Sequence, residues 1–419
     1  MPDASTANLA INAERLWSNI MTTAAFGGTP KGGVRRLTLS AEDKQVRDWL
    51  VARAQASGYE VGIDQIGNMY VQRPGREPGR PAVAIGSHLD TQPTGGKFDG
   101  ILGVLAGIEV LETLDEAGIV TEAPLCVVNW TNEEGSRFAP GELGSEVYVG
   151  HVTLDAALAC RDAEGVTVGE ALARIGYAGA EVPGARRFAA MVELHIEQGP
   201  LLEAEGLTIG VVTAAKGQQW YNGVVSGRES HAGTTPMTLR RDALMAFAEL
   251  ALVAEHIARA HGPDGVGTIG MASVSPGSRN TVPGEVSFSL EFRHPDRDHF
   301  GRMRTEMRAE VERIAATRGV AITLDPIWSM EPLSFSRDVA AQIAQAAAER
   351  GLPYRNMTSG AGHDACAVAS AVPTAMIFVP CKDGVSHNEA ESATPEDCAA
   401  GANVLLHAVL ALAGVSHND

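Results

Sequence analysis

The sequence predicts an α/β fold with a smaller α+β unit set inside it. Three observations carry that expectation. Short apolar runs of strand length alternate with longer stretches of helical period, the pattern of a sheet joined by helical crossovers. The stretch from about 210 to 328 breaks that rhythm and reads β-α-β-β-α-β, the ferredoxin-like order. The chain has 419 residues, 45% of them apolar, enough for two or three domains at about 150 residues each.

The elements follow in chain order. The first ~60 residues read as helical. Ser40 with Asp43 resembles a capping box, and Val46, Leu50, Val51 and Ala54 follow at helical spacing. Residues 59–72 read as a hairpin turning near Gly67-Asn68. Strands are expected at 82–85, 125–130 and 191–195, with a helix at 101–114 between the first two. Inside the insertion, strands are expected at 218–227, 267–274, 285–293 and 320–325, and helices at 238–261 and 297–318. After it come a helix at 337–350, a buried strand at 374–378 and a terminal helix at about 394–413.

Charge and cysteine content exclude several classes. The 33 Lys and Arg against 51 Asp and Glu leave a net charge of −18, which argues against nucleic acid or an anionic membrane as a partner. An anionic small substrate would need a local positive centre, a metal or a placed Arg. Five scattered cysteines without a CxxC pair read as reduced thiols of a cytoplasmic protein. Residues 1–5 lack the basic-then-apolar start of a signal peptide. No apolar run reaches membrane-spanning length, the nearest being the interrupted 365–381.

The chemistry concentrates in a few segments. His88 and Asp90 lie two apart just beyond a buried strand, so both can face one way, one as a ligand and the other orienting its imidazole. Asp99 stands immediately before a helix, where an ordinary N-cap is the alternative. Glu133 and Glu134 are adjacent acids at a strand's C-terminal end, where open α/β sheets place ligands; one could hold a metal and the other act as base. A solvated loop is the plainer account of that dipeptide taken alone. His195, His231, His363 and His387 sit at a strand end or among glycines. The pentapeptide at 384–388 recurs at 414–418 with His417, which is assigned no role. Cys366 and Cys381 read as core. There is no G-x-S-x-G, no H-E-x-x-H and no dinucleotide-type glycine motif.

Seven segments together resemble the hydantoinase/carbamoylase-type amidases, relatives of the dinuclear-metal aminoacylases and carboxypeptidases. They are GSHLDTQPTGGKFDG (86–100), NEEGSRF (132–138), HIEQGP (195–200), GRESHAGTTPM (227–237), SRN (278–280), SGAGHDA (359–365) and SHNEAE (386–391). The resemblance runs essentially end to end. It implies a metal-hydrolase catalytic domain with a mixed sheet flanked by helices, in two parts (1–209 and 329–419). A ferredoxin-like lid and dimerisation domain (210–328) interrupts it.

The resemblance also implies a site. Asp99 would bridge two divalent ions per subunit (Zn, Mn, Co or Ni), with His88 and His195 completing one position and Glu134 and His387 the other. Glu133 would be the general base and Asp90 the partner of His88. His231 would stabilise the oxyanion, in trans across a homodimer. Gln198, Asn280, Arg293 and Gly360 would line the pocket of a small ureido acid substrate. The expected reaction is cleavage of N-carbamoyl-L-amino acids, with allantoate or N-carbamoyl-β-alanine as alternative substrates. Related peptidases carry an acid where this chain has His195. From another class, a non-catalytic metal-dependent binding protein is opposed by retention of all five ligands and Glu133.

Overall fold

The structure is a computed structural model and describes residue 6 and residues 8–415. The expectations placed on residues 1–5 and on His417 lie outside the described residues. The chain forms two compact units, one of Met1–Thr213 with Phe335–Asp419 and one of Ala214–Ser334.

The first unit is built on a mixed sheet. Its strands run in the order Glu60–Ile63, Met69–Arg73, Leu125–Trp130, Ala82–His88, Phe188–Ile196, Thr374–Val379, Ile209–Ala215, and Tyr354–Ser359 pairs with the last of these. Ala82–His88 lies parallel to both Leu125–Trp130 and Phe188–Ile196, and Thr374–Val379 is parallel to Phe188–Ile196. These central strands are apolar almost throughout because helices cover both faces, which is why they read as continuous runs and not as alternating ones. The hairpin at 59–72 forms, closed by Asp64.

The expected N-terminal helical stretch resolves into two helices, Ala13–Thr23 and Ala41–Ala56, separated by irregular chain rich in Gly. Ser40 does cap the second, accepting from Asp43 N–H. The Asp43 carboxylate, however, takes the N–H of Leu39 and the guanidinium of Arg47, so the reciprocal half of the box is replaced. Three helices in 143–175, too short for a clear periodic signal, and the strand Ile209–Ala215 carry no sequence expectation. The helix Pro395–Ala413 is long and apolar enough to cross a membrane, contrary to the reading that no run is. Over half of it is buried within this unit, against Ala13–Thr23, Ile101–Glu116, Arg337–Glu349 and the central strands.

The second unit has the antiparallel order Ala272–Ser275, Glu285–His294, Gly217–Ser226, Ala321–Met330. Helices Ala243–Ala260 and Arg297–Arg318 pack on it through Leu250, Ile257, Phe288, Phe292, Phe300, Met303 and Met307. The strand expected at 267–274 is two pieces, Val266–Thr268 and Ala272–Ser275, both paired with Glu285–His294. The helix expected from 238 begins at Ala243, because the Asp242 carboxylate caps the N–H groups of Leu244 and Met245.

Candidate metal centre and active site

Three parallel strands end together, and their C-terminal ends supply the site. His88 is the last residue of Ala82–His88 and pairs with Trp130, so the acids of the following loop, Glu133 and Glu134, emerge beside it. His195 lies near the end of Phe188–Ile196. Asp99 is brought in by the turn before helix Ile101–Glu116. That helix is capped by Gly100 with no side-chain bond, so the N-cap alternative for Asp99 is not what the carboxylate does. Gly100 has φ 68°, and a Cβ there would collide with the His88 ring, which explains the glycine on two counts.

Asp99 uses both oxygens. Its Oδ1 lies 3.5 Å from His88 Nε2 and 3.2 Å from His195 Nε2. Its Oδ2 lies 3.6 Å from His387 Nε2 and accepts from Gln198 Nε2 (2.8 Å) and Ser386 Oγ (2.9 Å). Glu134 Oε2 is 3.6 Å from the same His387 nitrogen. Glu134 is held by Gln92, through its N–H (3.0 Å) and its side-chain amide (2.6 Å). Two groups that could each hold a metal ion therefore share Asp99: His88, Asp99, His195 and Asp99, Glu134, His387. Within each set the ligand atoms lie within 4.8 Å of one another.

The tautomers fit a cation. His88 Nδ1 donates to the Asp90 carbonyl (2.9 Å) and His195 Nδ1 to the Ile196 carbonyl (2.8 Å). In each neutral ring Nε2 then offers a lone pair beside the Asp99 carboxylate; at His195 the Gly100 N–H (3.1 Å) also meets that nitrogen, and a positive charge, a proton or a metal ion, between ring and carboxylate satisfies both acceptors. Imidazole nitrogen and carboxylate oxygen suit a borderline divalent ion. Without one, burial opposes charge on His88, yet Glu133, Asp99 and Asp90 outweigh it and hold the ring well above the usual imidazole range. Burial raises Asp99, but His195 and His88 overcome that and hold it well below the carboxylate range.

Glu133 is mostly buried, its side chain 11% exposed, with Oε2 3.6 Å from His88 Nε2. Burial first, then Asp364, Glu134 and Glu142, push its carboxyl well above the ordinary range, while His88 pulls it back. Its loop is shaped by Asn132, at φ 63°, whose side-chain amide donates to the carbonyls of Phe138 and Pro140. Asp90 holds His88 by its main-chain carbonyl and not by its carboxylate. Its Oδ1 is 3.8 Å from Nδ1 and has no hydrogen-bond partner, and burial lifts the group to about 6.

The remaining candidates are placed as follows. Gln198, at φ 57°, turns its amide onto Asp99, and its buried Oε1 lacks a partner. Gly360 follows the strand Tyr354–Ser359. In the second unit, strand Ser230–His231 pairs with Thr281–Val282, and Ala232 N–H donates to the Asn280 carbonyl, so His231 and Asn280 are neighbours. His231 Nδ1 accepts from Gly233 and Thr234 N–H, leaving Nε2–H as the donor of the neutral ring. Arg293, on strand Glu285–His294, pairs with Glu291 at 2.9 Å. His363 is buried edge-on to the His195 ring (centroids 4.6 Å) and bonds Ser359 Oγ. Cys366 and Cys381 are buried, and burial raises both thiols, Cys381 to about 12.

Sequence reasoning missed Gln92, Ser386 and Glu391, all of which hold ligands in place. Each lies inside a segment that carries the family resemblance, which is the signal that could have marked it.

Fold and site together define a hydrolase of mixed α/β architecture, with acids and imidazoles gathered at parallel strand ends. The chain belongs to the peptidase family M20/M25/M40, which it matches over residues 84–411. It is 44% identical over 408 residues to an N-carbamoyl-L-amino-acid amidohydrolase of Rhizobium meliloti (97% of this chain, 98% of that one). A Geobacillus stearothermophilus N-carbamoyl-L-amino acid amidohydrolase is 41% identical (96% and 99% covered), and an Escherichia coli allantoate amidohydrolase 37% (91% and 93%). Among solved structures, a hydantoinase/carbamoylase family amidase of Burkholderia multivorans superposes with a TM-score of 0.93 at 50% identity, covering 97% of this chain and 98% of that one.

Proposed function

We propose that this chain is an N-carbamoyl-L-amino acid amidohydrolase that cleaves the ureido C–N bond to release the amino acid, CO2 and ammonia. The observation that carries the hydrolytic reading is the double use of Asp99 between His88 with His195 and Glu134 with His387. The substrate reading is supported by the names of the relatives that align over nearly the whole chain.

Two divalent ions, Zn, Mn, Co or Ni, would be held by those two sets. When bound, they supply Lewis-acid polarisation and a water of lowered pKa. The chain's own residues do the rest. Glu133 takes a proton from water at its carboxylate as the water oxygen attacks the ureido carbon, then returns it to the departing amino acid nitrogen. The carbamate that also forms decays to CO2 and ammonia. His231 donates from Nε2 to the oxygen that gains charge. Arg293 grips the substrate α-carboxylate in a two-bond fork, with Gln198, Asn280 and Gly360 lining the pocket. We also assign the second unit to homodimer formation, supported by its exposed Met237, Leu239, Met245, Leu252, Met271 and Ile327.

A second reading, allantoate amidohydrolase, is supported by the Escherichia coli relative. One panel separates the two. Protein loaded with Mn, Co, Ni or Zn is assayed for ammonia release from N-carbamoyl-L-amino acids, N-carbamoyl-β-alanine and allantoate. Release from N-carbamoyl-L-amino acids is expected, and release from allantoate alone overturns the leading reading.

A further inference from the structure

We infer that Glu391 is a positioning residue that locks the two halves of the metal centre to each other. The inference rests on the two-ion reading above. Glu391 is 5% exposed and lies outside both ligand sets. One carboxylate oxygen, Oε1, accepts the main-chain N–H groups of Phe98 (3.0 Å) and Asp99 (3.1 Å). The other, Oε2, and Asp99 Oδ2 each lie 2.9 Å from Ser386 Oγ, whose single proton is donated to one of the two carboxylates at a time. Glu391 thus grips Asp99 from behind through its backbone and, by way of Ser386, reaches the oxygen that Asp99 turns toward His387.

The grip spans the two sets. Asp99 belongs to both, while Ser386 is the residue before His387, which is held at φ 52° in the left-handed region. A single side chain therefore fixes the turn that carries the shared ligand and the loop that carries the second imidazole. The sequence makes room for it. A Cβ at Gly96 would collide with the Glu391 carboxylate, so glycine there lets the acid enter from nearly 300 residues downstream. Groups that orient ligands in this way typically govern metal affinity by about 10- to 100-fold.

The test is metal affinity, not turnover. Full-length apo-protein, prepared by chelation, competes with a chromogenic chelator for Zn or Co, and the apo melting temperature is read in parallel. Glu391→Ala is expected to raise Kd by about 10- to 100-fold. Glu391→Gln keeps an oxygen for the two N–H groups and offers its NH2 to Ser386 Oγ, which can still donate to Asp99, so its Kd is expected to stay close to the parent. Ser386→Ala, which leaves the backbone grip intact, is expected to weaken binding by a smaller factor, and serves if Glu391→Ala does not fold. A folded Glu391→Ala protein with parental Kd and only a lower apo melting temperature shows a purely structural role and overturns the inference. Equal losses in the Gln and Ala variants, or an unchanged Kd in Ser386→Ala, overturn it too. A parent that takes up no divalent metal, and is matched by His88→Ala, overturns the two-ion reading itself.

Discussion

His195 Nε2 lies 3.2 Å from Asp99 Oδ1, the imidazole coming from the end of strand Phe188–Ile196 and the carboxylate from the turn before helix Ile101–Glu116. The His195 ring is held in that direction by its Nδ1 bond to the Ile196 carbonyl, and Gly100 N–H meets Nε2 from the Asp99 turn. The imidazole is thus oriented by backbone groups at both of its nitrogens.

Because Asp99 serves both ligand sets, its replacement should disturb both positions at once. Asp99→Asn keeps the size and removes the charge. Metal content measured by plasma emission is expected to fall for both ions, with kcat reduced by roughly 10²-fold or more. Loss of one equivalent only, with the other bound normally, would show that the carboxylate is not shared.

Glu133 should separate chemistry from binding. Glu133→Ala is expected to reduce kcat by about 10²- to 10⁴-fold while metal content stays near about two ions per chain. Normal turnover in this variant removes the base assignment.

Arg293 should matter according to the substrate. Arg293→Lys replaces a planar fork with a point charge. It is expected to raise KM mainly for ureido compounds bearing an α-carboxylate. Equal loss on a neutral ureido compound speaks against that contact.

Asp64 makes a pH-dependent contribution to stability. Its carboxylate accepts from Ile66 and Asn68 N–H, the Asn68 amide and Tyr70 Oη, and burial, only partly offset by those bonds, raises the group to about 6. An unfolded Asp ionises near about 3.9. The folded chain therefore holds this proton more tightly, and the stabilisation is full below about pH 4 and lost as pH rises through about 6, by at most about 3 kcal/mol. Urea unfolding of parent and Asp64→Asn at pH 4.5 and 7.5 checks this. The parent-minus-variant difference should shift toward the parent at the lower pH, and a difference independent of pH contradicts it.

The same network shows how far the sequence could be read. The hairpin and its turn near Gly67-Asn68 were legible from apolar spacing and turn residues. That Asn68 then accepts Thr131 N–H and donates to Gly144, bracing the loop of Glu133 and Glu134, was not. Nor was the bond from Arg47 to Thr131 Oγ1. Both join residues more than sixty positions apart, and no local period encodes them.

The sequence alone determined most of the longer strands and helices, because side-chain periodicity is a local property that burial on one face or both writes directly into the chain. It also determined which residue types could hold cations, since imidazole and carboxylate at strand ends carry their chemistry wherever they are placed. The tertiary structure decided which of them meet. It turned Asp99 from a helix cap into the shared member of two ligand sets. It gave His88 the carbonyl of Asp90 instead of its carboxylate, because the strand's exit puts the carbonyl nearer. It also brought Glu391 behind Asp99, a contact between residues nearly 300 positions apart. Such contacts depend on the relative placement of whole elements, which is set by core packing and not by the residues at the contact.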